Sequence, residues 1–177
     1  MFNLLIVKLH SVEEKRTEIM SSNRRPISSD GLKKLNEEMD RLIRIERPSV
    51  IKEIEIAIGH GDLSENAEYT YAKEKQALIE TRIRDLQDRI SASEVIDISN
   101  RPKSDKAIFG AYVTIQDLDT DETKKYQLLG QDEADIANGI ISIDSPVGRA
   151  LIGKEVGDVV EIRTPNGVKE CELIDIA

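Results

Sequence analysis

The sequence predicts an α+β fold: an N-terminal antiparallel helical hairpin of coiled-coil type, followed by a small antiparallel β-sheet with one short helix. Three observations carry this. Between residues 28 and 93 apolar residues recur at steps of three and four, interrupted once by Gly59-His60-Gly61. Beyond residue 104 the period changes to alternation. Aromatic residues make up only 3% of the chain and Trp is absent, which favours long Leu- and Ile-seamed helices over a large mixed core.

The domain boundaries follow from these changes of pattern. Residues 1–26 form an N-terminal extension that joins no later pattern, and Met20 sits just ahead of the first strong helix signal. The opening residues therefore read as a mobile arm or a mispredicted start. The hairpin occupies residues 27–99, Asn100-Arg101-Pro102-Lys103-Ser104 is a linker, and residues 105–177 form the sheet domain.

The first helix begins at Ser28, an N-cap residue type, and places Leu32, Leu35, Met39 and Leu42 on one seam. Pro48 breaks the phase, since proline lacks the helical N–H and its ring clashes with the preceding turn, so a kink or stutter is expected there. The stripe resumes at Ile51, Ile54 and Ile58 and stops at the glycines. A second helix is predicted over about 63–93, with Ala72, Ile79, Ile83, Leu86 and Ile90 as its seam. Helices of about 30 residues would each span roughly 45 Å and, across so short a turn, must run antiparallel.

In the second domain, Ala111-Tyr112-Val113-Thr114-Ile115 and Lys125-Tyr126-Gln127-Leu128-Leu129 flank a polar turn and predict a hairpin. A strand is expected at 140–143. Ser145-Pro146 opens a short helix that stops at Gly153, and strands at 158–163 and 168–174 close around Pro165-Asn166-Gly167.

The net charge of −9 argues against free-standing binding to nucleic acid, whose sequence-independent affinity comes from Lys and Arg. The charge is uneven: residues 1–101 carry 17 basic and 19 acidic side chains, residues 102–177 carry 8 and 15. The acidic half either docks on a basic protein surface or simply keeps the chain soluble. A single cysteine, Cys171, excludes an internal disulfide and any multi-thiolate zinc site. The first apolar run, residues 2–7, is too short to span a bilayer, and a cytoplasmic location is expected.

The candidate chemistry lies at the turn, Gly61-Asp62-Leu63-Ser64-Glu65-Asn66-Ala67-Glu68-Tyr69. Asp62 and Glu65 have the spacing of a capping box, with Asp62 as the cap, and would remain ionised at a helix N-terminus. Ionised oxygens are also what Mg²⁺ takes, yet two exposed acids would hold it weakly and a partner would have to complete the set. His60 reads as an ordinary turn histidine or a general base. Lys73 and Lys75 either contact phosphate or form a solvated face. Tyr69 and Tyr71 stack on a base or cover the seam, core packing being the reading preferred for Tyr71. No Ser/His/Asp triad, glycine-rich phosphate loop or Cys/His metal cluster is present.

The tip motif resembles that of the bacterial transcript cleavage factors of the GreA/GreB family. A second motif agrees: Ser145-Pro146-Val147-Gly148-Arg149-Ala150-Leu151-Ile152-Gly153-Lys154 and then Gly157-Asp158, with Gly130-Gln131-Asp132-Glu133-Ala134-Asp135 ahead of it, resembles the family's C-terminal signature. The resemblance implies an FKBP-like C-terminal domain that holds the rim of the RNA polymerase secondary channel through Ser145, Pro146, Arg149 and Gly153. The coiled coil would enter the channel. Asp62 and Glu65 match the acids that act in trans at the polymerase active centre. There they would help hold a second Mg²⁺, shared with the polymerase and not bound stably by this chain alone, and orient water on a phosphodiester of backtracked RNA.

Gly61, Asn66, Glu68 and Tyr69 would support the tip, and Lys73 and Lys75 would meet RNA. Such a factor acts on the polymerase's own nuclease and has no turnover alone. It touches DNA only indirectly and is expected to be a monomer. The modestly basic second helix is nearer the GreA pattern than the GreB one. Ile58-Gly59 stand where many members have Arg-Glu, so the resemblance does not extend to the phosphate contact near the tip at that position. Two other readings are a channel regulator that promotes no cleavage, and a peptidyl-prolyl isomerase whose pocket would have to use Phe109, Tyr112 and Tyr126.

Overall fold

The structure, a computed structural model, describes residues 24–60, 66–99, 104–164 and 167–177. Strand β1 (Arg25–Ser28) leads into helix α1 (Ser29–Arg41), a single π-helical turn (Leu42–Glu46) and helix α2 (Arg47–Gly59). Helix α3 (Ala67–Ser91) returns alongside and ends in strand β2 (Ser93–Ile96). The Ser28 side chain caps α1, its Oγ accepting from the Gly31 N–H at 3.0 Å.

The two arms close over a seam of Ile27, Leu35, Leu42 and Val50 against Ala72, Ile79, Ile83 and Leu86, all buried. Each fully buried Leu, Ile or Val contributes about 1.5–3 kcal/mol, so this seam, and not the intrinsic propensity of its helices, holds the hairpin closed. Three ion pairs bridge its flanks: Arg47 to Glu80 at 2.6 Å, Lys75 to Glu53 at 2.8 Å and Arg82 to Glu38 at 2.8 Å. Each is half-exposed, where solvent screens the attraction, so they fix the register of the arms more than their stability.

Two features differ from the sequence reading. Helix α3 begins at Ala67, not near residue 63, because Asn66 takes the capping position; its 25 residues span about 37 Å. Ser93, read as its last helical residue, opens β2, which pairs in parallel with β1 from Arg25↔Ser93 to Ser28↔Ile96. This short pair closes the base of the hairpin and buries Ile27 beneath its seam.

The second part is a five-stranded sheet in the order β5-β4-β3-β7-β6. Its strands are β3 (Tyr112–Asp117), β4 (Thr123–Leu129), β5 (Ile140–Ser142), β6 (Val159–Thr164) and β7 (Gly167–Ile176). The predicted hairpins β3-β4 and β6-β7 form, but the sheet is mixed, because β5 joins β4 in parallel. Single 3₁₀ turns at Gln131–Glu133 and Ile136–Asn138 carry the chain from β4 back to the start of β5, which makes that parallel pairing possible. Helix α4 (Pro146–Leu151) covers one face, and the core gathers Val113, Ile115, Leu128, Ile141, Leu151, Val160, Ile162 and Leu173. No helix among the described residues is long and apolar enough to cross a membrane.

Candidate functional site

The tip is built from its two flanks. Helix α2 runs to Gly59, and His60 ends it in a right-handed conformation, its N–H donating to the Ala57 carbonyl at 3.2 Å. On the other side the Asn66 side chain caps α3, Oδ1 accepting from the Tyr69 N–H at 3.0 Å. The same amide reaches across: Nδ2 donates to the Ala57 carbonyl at 2.8 Å. One residue thus satisfies an orphan donor of α3 and adds a second hydrogen bond to a carbonyl in the last turn of α2, so the ends of the two arms are tied together. A second tie joins His60 Nδ1 and Glu68 Oε2 at 3.1 Å. The seam positions nearest this end, Ala57 and Ala72, are both small and buried.

Gly61, Asp62 and Glu65 lie outside the described residues. The flanks nevertheless correct the expected cap: Asn66 holds that position, not Asp62, so neither acid is needed to start α3. Tyr71, expected in the core, is 67% exposed, since it precedes the seam residue Ala72 and is turned about 100° away from it. Tyr69 is the half-buried ring.

The candidate phosphate contacts separate. Lys75 is held by both oxygens of Glu53 at 2.8 and 3.0 Å, and this hydrogen-bonded pairing raises its pKa above the usual lysine value. Its charge is already matched within the rod. Lys73 is exposed and donates to the neutral Gln76 amide at 2.7 Å, leaving its charge unopposed by that contact.

In the sheet domain, Ser145 caps α4, its Oγ accepting from the Gly148 N–H at 3.0 Å and donating to the Ser142 carbonyl at 2.6 Å. Pro146 and Arg149 are exposed on that short helix, and Gly153 turns the chain with φ of 80°. Gly148 must stay bare, because a Cβ there would stand 2.1 Å from the Ser142 carbonyl oxygen. These residues form one compact corner, as their shared motif requires.

An isomerase would demand an aromatic pocket around Phe109, Tyr112 and Tyr126. A cavity of about 340 Å³ in this domain is lined instead by Ser104, Asp105, Lys106, Ile108, Ala111, Ile176 and Ala177, with no ring among these residues. Tyr112 is 44% exposed, while Tyr126 packs against the core. Among the described residues, no group of three or more His, Cys, Asp or Glu side chains comes together as a metal site. Sequence reasoning missed the Asn66 crosslink and the contacts of Asp132 and Glu133 with the hairpin. The Asp132-Glu133 motif was visible, but nothing in it named the partner.

Residues 25–95 match the family model described as transcription elongation factor, N-terminal, and residues 101–177 match transcription elongation factor, GreA/GreB, C-term. Transcription elongation factor GreA of Thermodesulfovibrio yellowstonii is 53% identical over 156 residues, covering 88% of this chain and 98% of its own. Transcription elongation factor GreA of Syntrophotalea carbinolica is 49% identical over 152 residues, covering 86% and 96%. A solved structure, GreA factor homolog 1 of Thermus thermophilus, is 26% identical with a TM-score of 0.41, covering 87% of this chain and 99% of its own.

Proposed function

The chain belongs to the GreA/GreB family of transcription elongation factors, and from that premise we propose that it enters the RNA polymerase secondary channel rod-first and stimulates the polymerase's own cleavage of backtracked RNA. The observation that carries this reading is the placement of two carboxylates, Asp62 and Glu65, in the segment between Ala57 and Asn66. The ends of that segment are tied across the hairpin. A shaft whose two arms are tied together at its far end suits a group that must reach a buried centre and be held there.

Hard carboxylate oxygens fit Mg²⁺, and two of them supply only part of an octahedral set, so the ion would be shared with the polymerase. Bound there, such an ion would polarise the attacking water and stabilise charge on the phosphodiester. This chain's own part would be to bring the two acids to the polymerase's centre on the end of the rod. Lys73 would lie against the RNA phosphates, while Lys75 stays within the rod. Ser145, Pro146, Arg149 and Gly153 would seat the sheet domain on the channel rim. The nuclease would be the polymerase's, and this chain would have no turnover alone.

The test is a stalled, backtracked elongation complex incubated with the wild-type chain, Asp62→Asn or Glu65→Gln. Release of short 3′ RNA fragments is expected to fall at least about tenfold, the low end of the loss typical of residues that only orient a metal's ligands. Polymerase affinity should change little, because each substitution removes a charge with little change of shape. Equal fragment release from all three would overturn the reading, and slowed synthesis without fragments would identify a non-cleaving channel regulator.

A further inference from the structure

Asp132 and Glu133 lie in the sheet domain, yet their carboxylates are spent on the hairpin. Glu133 Oε2 accepts from the Ser28 N–H at 2.9 Å and from the Gly130 N–H at 3.4 Å, while Oε1 accepts from the Ser28 hydroxyl. Ser28 in turn caps α1. A carboxylate from the second domain therefore completes the start of the first arm, where the helix dipole favours negative charge. Its neighbour Asp132, with a side chain only 4% exposed, accepts from Arg89 of α3 at 2.7 Å. Arg89 is also held by Asp85 at 3.1 Å, which fixes the guanidinium between the two acids. Two adjacent residues thus grip the first turn of one arm and the last turn of the other.

The backbones at this contact are shaped for it. Gly130 has φ of −74° and ψ of 167°, which any residue adopts, so backbone freedom does not call for glycine. Contact does: a Cβ there would stand 2.2 Å from the Pro26 carbonyl oxygen. On the hairpin side, a Cβ on Gly31 would fall 2.4 Å from the Glu133 carboxyl carbon. Each domain leaves out a side chain where the other presses in.

We propose that Asp132 and Glu133 are positioning residues that set the bearing of the rod on the sheet domain, so that seating the domain also aims the tip. The inference rests on the proposed function for its catalytic consequence and on the geometry for its mechanical one. A tilt of about 10° at the base of a rod of about 37 Å displaces its end by roughly 6 Å. A misplacement of about 1 Å can cost about 10²-fold in rate. The clamp therefore governs cleavage without touching RNA or polymerase.

Spin labels on the exposed positions Leu78 and Val156, with the buried Cys171 left in place, report the distance between rod and sheet domain in the full-length chain, without polymerase. The wild type is expected to give one narrow distance. Gly130→Ala, and the near-isosteric pair Asp132→Asn with Glu133→Gln, should broaden or shift it. In backtracked complexes the same variants should lose about tenfold or more in cleavage at saturating factor, with half-saturation changed less than about twofold. An unchanged narrow distance would overturn the clamp, as would cleavage and affinity falling in parallel. If Gly130→Ala fails to fold by circular dichroism, the double amide variant decides alone. A wild type that yields no fragments would overturn the function while leaving the distance result to judge the clamp.

Discussion

Replacing Asn66 by Ala is expected to uncap α3 and release it from α2 in one step, at a cost of about 2 kcal/mol, one part for the cap and one for the hydrogen bond to Ala57. Urea unfolding followed at the helix signal measures it, and Asn66→Asp should recover only the capping part, since a carboxylate cannot donate to the Ala57 carbonyl. The spacing of Asp62 and Glu65 pointed to the cap four residues early because Asn and Asp cap almost equally well. Only the cross-hairpin acceptor separates them, and that lies in space, not in local sequence. Asp117 makes a second residue-scale prediction. The Lys169 ammonium at 2.6 Å, with the N–H groups of Asp119 and Thr120, holds its carboxyl below the ordinary 3.8. A carboxyl depressed in the fold adds stability that is present above that ordinary value and is lost as pH falls through the folded one. Asp117→Asn should therefore flatten the acid limb of a plot of Tm against pH and, because Asp117 also raises the Lys169 pKa, flatten the alkaline limb where that ammonium loses its proton.

Among the elements, the first arm solves a phase problem. Its buried positions step by seven from Leu35 to Leu42, by eight from Leu42 to Val50, and by seven again to Ala57. The π turn at Leu42–Glu46 absorbs the extra residue, with the Arg47 N–H reaching back five positions to the Leu42 carbonyl. The interruption at Pro48 was legible in the sequence, but its form was not, since a kink and a widened turn both relieve the proline clash. Deleting the exposed Ile45 should restore a seven-residue step and place Pro48 inside a regular helix, at a cost of about 3 kcal/mol. Adding Pro48→Ala to the deletion should recover most of that loss, as thermal unfolding of the pair would show. Strands β1 and β2 were missed for another reason: each has only four residues, and their pairing spans 68 positions, so neither alternation nor a turn marks them. The strands joined by tight hairpins were legible because both signals are local.

At the scale of the whole molecule, the division into helical and alternating halves could be read directly, since a change of hydrophobic period needs no partner to be seen. How the halves meet could not be. Glu133 and Ser28 are 105 residues apart, and an acidic dipeptide in a turn looks like any solvated loop until Gly31 and Gly130 are found facing it. The clamp thus belongs to this scale, as does its prediction that rod bearing and cleavage change together while affinity does not. The tie from Asn66 to Ala57 has a different kind of consequence. Its donor and acceptor both lie outside the stretch 61–65, and the described seam residues all lie on the shaft side of it. Substitutions in that stretch leave the fastening's own atoms in place, so the chemistry at the tip can be exchanged like the bit on a drill.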